Sequence, residues 1–273
     1  MEEWSVGVAD ERDLLVEKSG SICTLTLNRP QALNALNREL GANLLTALNE
    51  CADDDEVRAI VIAGAGRAFC AGDDIRAGRR AAEAGQPRPR RDLATSVRSG
   101  HYFNMPHTFR SIPKPIIARV HGYAYGAGMD LVLASDMAIA ADDTKIAAVF
   151  VRSGIIGGTA QLPRYVGLKK AMEMLLLGEP IEAPEAVSLG LINYAVPADD
   201  LDDAVGEWAE KLATGPTRIM SHIKLAAYRG LDMSVGDAQM LAAAVTSEAG
   251  QTEDGQEGRS AFLSKRDPVF TGR

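Results

Sequence analysis

The chain has 273 residues, 46% of them hydrophobic and 24% charged, the balance of a globular protein of one to two average domains with an ample core. Lys and Arg number 29 against 37 Asp and Glu, so the net charge is −8. That acidity argues against a general nucleic-acid or anionic-membrane binder, because a polyanion needs a basic face; an anionic ligand must meet a local cluster of Arg or Lys.

No uninterrupted apolar run approaches the ~20 residues of a membrane helix. The acidic start Met1-Glu2-Glu3-Trp4 does not read as a signal peptide, and three unevenly spaced cysteines (Cys23, Cys51, Cys70) suit a reducing, cytoplasmic setting. In chain order, Leu14 to Lys18 and Ile22 to Leu27 read as strands separated by Gly20. In the second, Cys23, Leu25 and Leu27 alternate with Thr24 and Thr26, as in a sheet with one buried face. Asn37 is placed to cap a helix striped by Leu40, Leu44, Leu45 and Leu48. Arg58 to Ala63 is a continuous apolar run, which predicts a strand covered on both faces.

The stretch from Arg79 to Arg91 mixes five arginines with Gly85 and Pro87-Arg88-Pro89, so a mobile surface loop is expected there, followed by a helix from about Leu93 to Phe109. Pro115 to Val120 reads as another buried strand, Met129 to Ala134 as a helix, and Met137 to Ala140 and Ile146 to Phe150 as strands. From about Gly167 the pattern is mainly helical, with helices at Leu201 to Leu212, Thr217 to Tyr228, Ser234 to Ala249 and Thr252 to Leu263. Interleaved strands and helices followed by helices alone predict an α/β core over residues 1–195 and a helical region over 196–273.

Two glycine-rich strand-to-helix turns stand out, Ala68-Phe69-Cys70-Ala71-Gly72-Asp73-Asp74-Ile75-Arg76 and His121-Gly122-Tyr123-Ala124-Tyr125-Gly126-Ala127-Gly128-Met129-Asp130. Glycine lets backbone approach a ligand closely, and two converging N–H groups can hold an anionic oxygen. With Leu27-Asn28-Arg29-Pro30, Ala32-Leu33-Asn34-Ala35-Leu36, Ile112-Pro113-Lys114-Pro115, Leu162-Pro163-Arg164-Tyr165-Val166-Gly167 and Arg266-Asp267-Pro268-Val269-Phe270, these turns run in an order and spacing that resembles the crotonase superfamily, the enoyl-CoA hydratase/isomerase group. The resemblance spans almost the whole chain. It implies a spiral of ββα turns with a C-terminal helical trimerisation region, assembled as trimers or dimers of trimers.

The same resemblance implies an acyl-CoA thioester substrate, with no cofactor beyond the coenzyme A of that substrate, and a cytoplasmic enzyme, with fatty acid metabolism as a setting. The thioester carbonyl would sit between the backbone amides of Asp73 and Ala127, which stabilise its enolate. Asp130 takes the place of the first catalytic carboxylate, where hydratases carry Glu. The CoA moiety would meet Arg29, Ala32, Leu33, Ala71, Asp74, Ile75 and Gly126, with Arg76 or Lys265 near its phosphates; the Arg79–Arg91 loop could also reach them, although a solvated loop is the plainer expectation. No metal site is expected, because four His and three Cys are scattered.

One departure matters. The second Glu of hydratases falls at Phe150, and the shortened loop Gly154-Ile155-Ile156-Gly157-Gly158-Thr159 holds no acid, so a water clamped between two carboxylates is not supported. Phe150 instead implies an apolar pocket wall. The resemblance points first to an acyl-CoA lyase of the hydratase type. A single-carboxylate isomerase, hydrolase or decarboxylase of the same fold, and a non-catalytic acyl-CoA-binding protein, remain as alternatives. The Asp73 side chain, His101, Tyr102 and His107 are further candidates to line the acyl pocket, each with a neutral or structural role as the simpler reading. Tyr123, Tyr125 and Tyr165 read as packing residues, and His121 as a prop for the second turn. A Gly-x-Gly-x-x-Gly dinucleotide motif and a Gly-x-Ser-x-Gly elbow are both missing.

Overall fold

The structure is a computed structural model that describes residues 13–76 and 105–273. The N-terminal residues, the Arg79–Arg91 segment, His101, Tyr102 and most of the helix expected from Leu93 lie outside the described residues.

Strands β1 (Leu14–Ser19), β2 (Ile22–Leu27), β3 (Ala59–Gly64), β4 (Ile116–Val120), β6 (Met137–Ala141) and β9 (Tyr194–Val196) form one sheet in the order β1-β2-β3-β4-β6-β9. Only the β1–β2 hairpin is antiparallel; the rest of the sheet is parallel. A second sheet joins β5 (Tyr123–Tyr125), β7 (Lys145–Ala147) and β8 (Ile181–Glu182) in the order β5-β7-β8.

The alternation in β2 is realised, with Cys23, Leu25 and Leu27 buried and the threonines between them half-buried. All six residues of β3 are buried, because helices cover both faces of the sheet there. Ile60 and Ile62 face the main core, which contains the leucine stripe of α1 (Arg38–Asp53). Val61 faces the other way, with Ile117, Ile139 and Ala141, onto Leu201, Val205 and Ala209 of α6 (Leu201–Ala213). Each such apolar side chain taken from water contributes ~1.5–3 kcal/mol, which is why a central strand can dispense with polar residues altogether. Asn37 caps α1 as expected, its side chain accepting from the Leu40 amide at 2.7 Å.

Helix α2 (Met105–Ser111) precedes β4, and α3 (Ala127–Ala134) follows β5 directly. The expected strand from Ile146 to Phe150 is corrected: only Lys145–Ala147 pairs, and Val149–Ser153 turns into a 3-10 helix. Phe150 is thereby turned into the core rather than left on a sheet face. The onset of helix near Gly167 is likewise corrected. Helix α4 (Leu162–Leu177) starts five residues earlier and breaks at Gly167, and β8, α5 (Ala183–Ser188) and β9 follow it. The chain ends in α7 (Thr217–Gly230), α8 (Val235–Ala249) and α9 (Glu253–Leu263), with Ser234 and Thr252 capping the last two through their side chains. No helix among the described residues is long and apolar enough to cross a membrane.

Candidate active site

The two glycine turns are laced together by backbone. Phe69 donates to His121 O at 2.8 Å, Cys70 to Tyr123 O at 3.0 Å, and Tyr125 back to Cys70 O at 2.9 Å. On the opposite side, segment 33–36 runs alongside the first turn: Ala71 donates to Leu33 O, Leu36 to Gly72 O at 2.7 Å, and Asp74 to Leu36 O at 2.9 Å. Successive amides of an extended segment point to alternate sides. Because Gly72 O and Asp74 N–H face Leu36, the Asp73 amide faces away from it, on the side of the Gly126–Ala127 turn.

Gly72 makes the approach close. At φ +103 it holds a conformation that side chains resist, and a Cβ there would sit 2.8 Å from Tyr125 O and 3.5 Å from Ala127 N. Ala127 is the first residue of α3, where an amide has no acceptor within its own helix.

A small cavity of about 60 Å³ opens beside these turns. Asp73, Ala127 and Asp130 line it together with Leu36, Leu131 and Phe150; Met105, Pro106, Ile156 and Gly157 complete the wall. Asp130 sits in the first turn of α3 but caps nothing: the helix has no side-chain cap, and the buried Asp130 Oδ1 has no hydrogen-bond partner among the described residues. Burial, and after it the negative charge of Asp73, push the Asp130 carboxyl up to about 7, against the pull of the Gly158 amide and the Gln161 side chain. Gln161 is buried at the head of α4, donates to Asp130 O at 3.3 Å, and accepts from Arg110 at 3.4 Å.

Phe150 forms an apolar stretch of the wall, and its ring rests on the backbone of Gly157, where a Cβ would come within 2.3 Å of Cε1. No carboxylate takes its place on that wall among the described residues.

The other expected residues are more dispersed. Arg29 is buried, with its guanidinium on Asp74 at 2.9 Å, on Asp13 at 3.3 Å and on Ala35 O at 2.5 Å. It thus clamps the first turn to segment 29–36. Ala32, Leu33 and Ala71 are half-buried along that seam, and Ile75 and Arg76 are exposed beyond it. Gly126 lies against Phe150, where a Cβ would sit 3.6 Å from the ring. Lys265 is exposed after α9, and His107 lies on the exposed face of α2; neither reaches the cavity wall. Tyr165 donates to Leu133 O at 2.6 Å, and Tyr123 and Tyr125 pack together with ring centroids 5.2 Å apart. His121 Nδ1 lies 3.1 Å from an Arg119 nitrogen, which can only donate, so the ring proton is on Nε2 and is given to Gly66 O at 2.9 Å. Burial keeps that ring below its usual pKa and hence neutral.

Sequence reasoning overlooked two organising residues. Asn34, fully buried at φ +56, accepts from the Arg29 amide and donates to both Ala65 O and Ala68 O, fastening the loop that leads into the first turn. Its signal was modest: Asn is the side chain that best tolerates a left-handed backbone. Gln161 had no local signal, because its partners lie 31 and 51 residues away.

The family model described as enoyl-CoA hydratase/isomerase matches residues 17–273. A Rhodobacter capsulatus protein named "Probable enoyl-CoA hydratase" is 40% identical over 260 residues, 94% of this chain and 97% of its own length. The 1,2-epoxyphenylacetyl-CoA isomerase of Escherichia coli K12 is 39% identical over 262 residues, again 94% and 97%. The crystal structure of an enoyl-CoA hydratase from Mycobacterium smegmatis superposes with a TM-score of 0.85 at 35% identity, covering 94% of this chain and 98% of the other. With the two-sheet α/β architecture already described, these likenesses over nearly the full length establish that the chain belongs to the enoyl-CoA hydratase/isomerase family and has its crotonase fold.

Proposed function

We propose that the protein is an acyl-CoA lyase of the enoyl-CoA hydratase type, acting on a CoA thioester through an enolate. The observation that carries this reading is Asp130, which lines a cavity with both glycine turns and keeps one buried carboxylate oxygen, Oδ1, without a partner among the described residues. The Asp73 and Ala127 amides hold the thioester oxygen as negative charge develops on it, and a single such donor is typically worth ~3 kcal/mol. Asp130, poised near neutrality, both takes and returns a proton at the adjacent carbons. The exposed Ile75 and Arg76 stand beyond the turn, on the path that the CoA moiety would follow.

Loss of the conjugated enoyl-thioester absorbance across a panel of 2-enoyl-CoA esters tests the reading. We expect turnover by the wild type and a fall of ~10³-fold or more in Asp130→Ala; a wild type inert with every ester would overturn it. Phe150 in the cavity wall favours a second reading, double-bond isomerisation, which needs only one group to move a proton; the isomerase name of the E. coli relative supports it too. Deuterium entering the α or γ carbon without addition of water separates the two.

The reading extends to assembly and location. Helix α8 buries none of its residues within the chain, with Val235 at 77% and Met240 at 74% exposure, and Phe262 and Leu263 of α9 are 84% and 81% exposed. Such surfaces support a homotrimer or a dimer of trimers, and light scattering coupled to gel filtration tests it, a monomer being the adverse result. Three free cysteines, all buried, support a cytoplasmic location.

A further inference from the structure

We propose that the side chain of Asp73 is the second proton-transferring group of this site, paired with Asp130 across the cavity and taking over the part of the acid that Phe150 displaces. The inference rests on the enolate reading above and extends it.

Two adjacent carboxylates sit on the first turn, and the fold gives them opposite duties. Asp74 points away from the cavity into the seam, where its largely buried side chain holds Arg29 at 2.9 Å. Asp73, one residue earlier in extended backbone, projects to the other side and lines the same cavity as Asp130. The two are close enough that the charge on Asp73 is felt at Asp130 second only to burial. Asp130 lines the cavity, and its buried Oδ1 has no hydrogen-bond partner among the described residues.

The chemistry asks for such a pair. Adding water to a 2-enoyl thioester removes one proton from water and delivers one to Cα. Of two carboxyls lining one cavity, one ionised and one protonated can accept and give a proton in the same addition. The ionised member takes a proton from water as the water oxygen bonds to Cβ, and the C=C electron pair moves onto the thioester oxygen as the enolate forms. The enolate then collapses onto Cα, which takes the proton of the other carboxyl. At the end the pair still holds one proton, now on the other carboxyl, and one water has been added. A 1,3-shift of the double bond, which a single group could carry, is here divided between the two, one removing a proton and the other returning one.

The test uses full-length wild type, Asp73→Asn, Asp73→Ala and Asp130→Asn. Water addition and double-bond shift are followed with crotonyl-CoA and cinnamoyl-CoA, and α-proton exchange in D2O with butyryl-CoA and phenylacetyl-CoA. Exchange needs one base and the two amides, and both Asp73 variants keep the residue-73 amide. We expect them to lose at least 100-fold in water addition or double-bond shift while exchange stays within tenfold, and Asp130→Asn to lose both. Wild-type rates of addition in the Asp73 variants would overturn the proposal. So would parallel loss of exchange and of acyl-CoA binding, which marks a collapsed turn, or a wild type that exchanges but neither adds water nor shifts the double bond, which leaves Asp130 as the only base. A wild type that neither reacts with nor binds any of these thioesters would sink the enolate reading itself, and Asp73's role with it.

Discussion

The two walls of the cavity are built on different principles. On one side, the Gly72 and Gly126–Ala127 turns present backbone, held by hydrogen bonds to strands on either side and closed by a glycine whose Cβ would collide with Tyr125 O. Next to them, the 3-10 turn at Val149–Ser153 presents a side chain, Phe150, whose ring lies on the bare backbone of Gly157. A wall made of main-chain amides keeps its chemistry when side chains vary. A wall made of one ring has its polarity and shape decided by a single residue. The first is suited to a step shared across a family, the second to what distinguishes this member.

Breaking the backbone wall should have the largest effect. Gly72→Ala adds a Cβ at 2.8 Å from a carbonyl and strains φ +103, so the two turns must part. Loss of one oxyanion donor predicts turnover slowed by about two to three orders of magnitude, roughly 3–4 kcal/mol, readable in steady-state kinetics with the fold intact by circular dichroism. An unchanged turnover rate would remove the amide pair from the mechanism.

The side-chain wall should respond in stability rather than in chemistry. Phe150→Ala opens a cavity behind a buried ring and should lower unfolding stability by ~3 kcal/mol in a urea titration, while turnover of small thioesters changes less than tenfold. A collapse of turnover comparable to that of Gly72→Ala would erase the contrast between the walls.

Asp130 lines the same cavity and ties activity to pH. Its native carboxyl titrates near 7 against an ordinary 3.8, so the folded state holds a proton that the unfolded chain releases between those values. Stability contributed by this group is therefore fully present at low pH and is lost as pH rises through about 7. The whole displacement corresponds to at most ~4 kcal/mol, and partial solvent contact reduces the expected effect to ~2 kcal/mol. Asp130→Asn should thus be more stable than wild type at pH 8, with the gain vanishing below about pH 4; equal gains at both pH values would show that the carboxyl is not displaced. Smallest of all, Asp73→Asn removes a like charge and should move the acidic limb of the residual kcat/KM to lower pH by less than one unit. A limb that stays in place would separate Asp73 electrostatically from Asp130.

Local pattern determined a good deal. The alternation of Cys23, Leu25 and Leu27, the unbroken apolar run of β3, the Asn37, Ser234 and Thr252 caps and the leucine stripe of α1 could all be read from neighbours within a few residues, because each depends on the period of a single element. The glycines of the two turns were legible for the same reason. Tertiary structure decided the rest. Ile146 to Phe150 has the composition of a strand, yet it ends at Ala147 because packing against Gly157 and the core outweighs β propensity once pairing with Tyr125 is complete. Whether Asp73 or Asp74 faces the cavity depends on which side Leu36 bonds, and the pairing of Asp130 with Gln161 and with the charge of Asp73 depends on segments far apart in the chain. A carboxyl's protonation is set by burial and by the charges around it, and both come into being only when the chain has closed around the group.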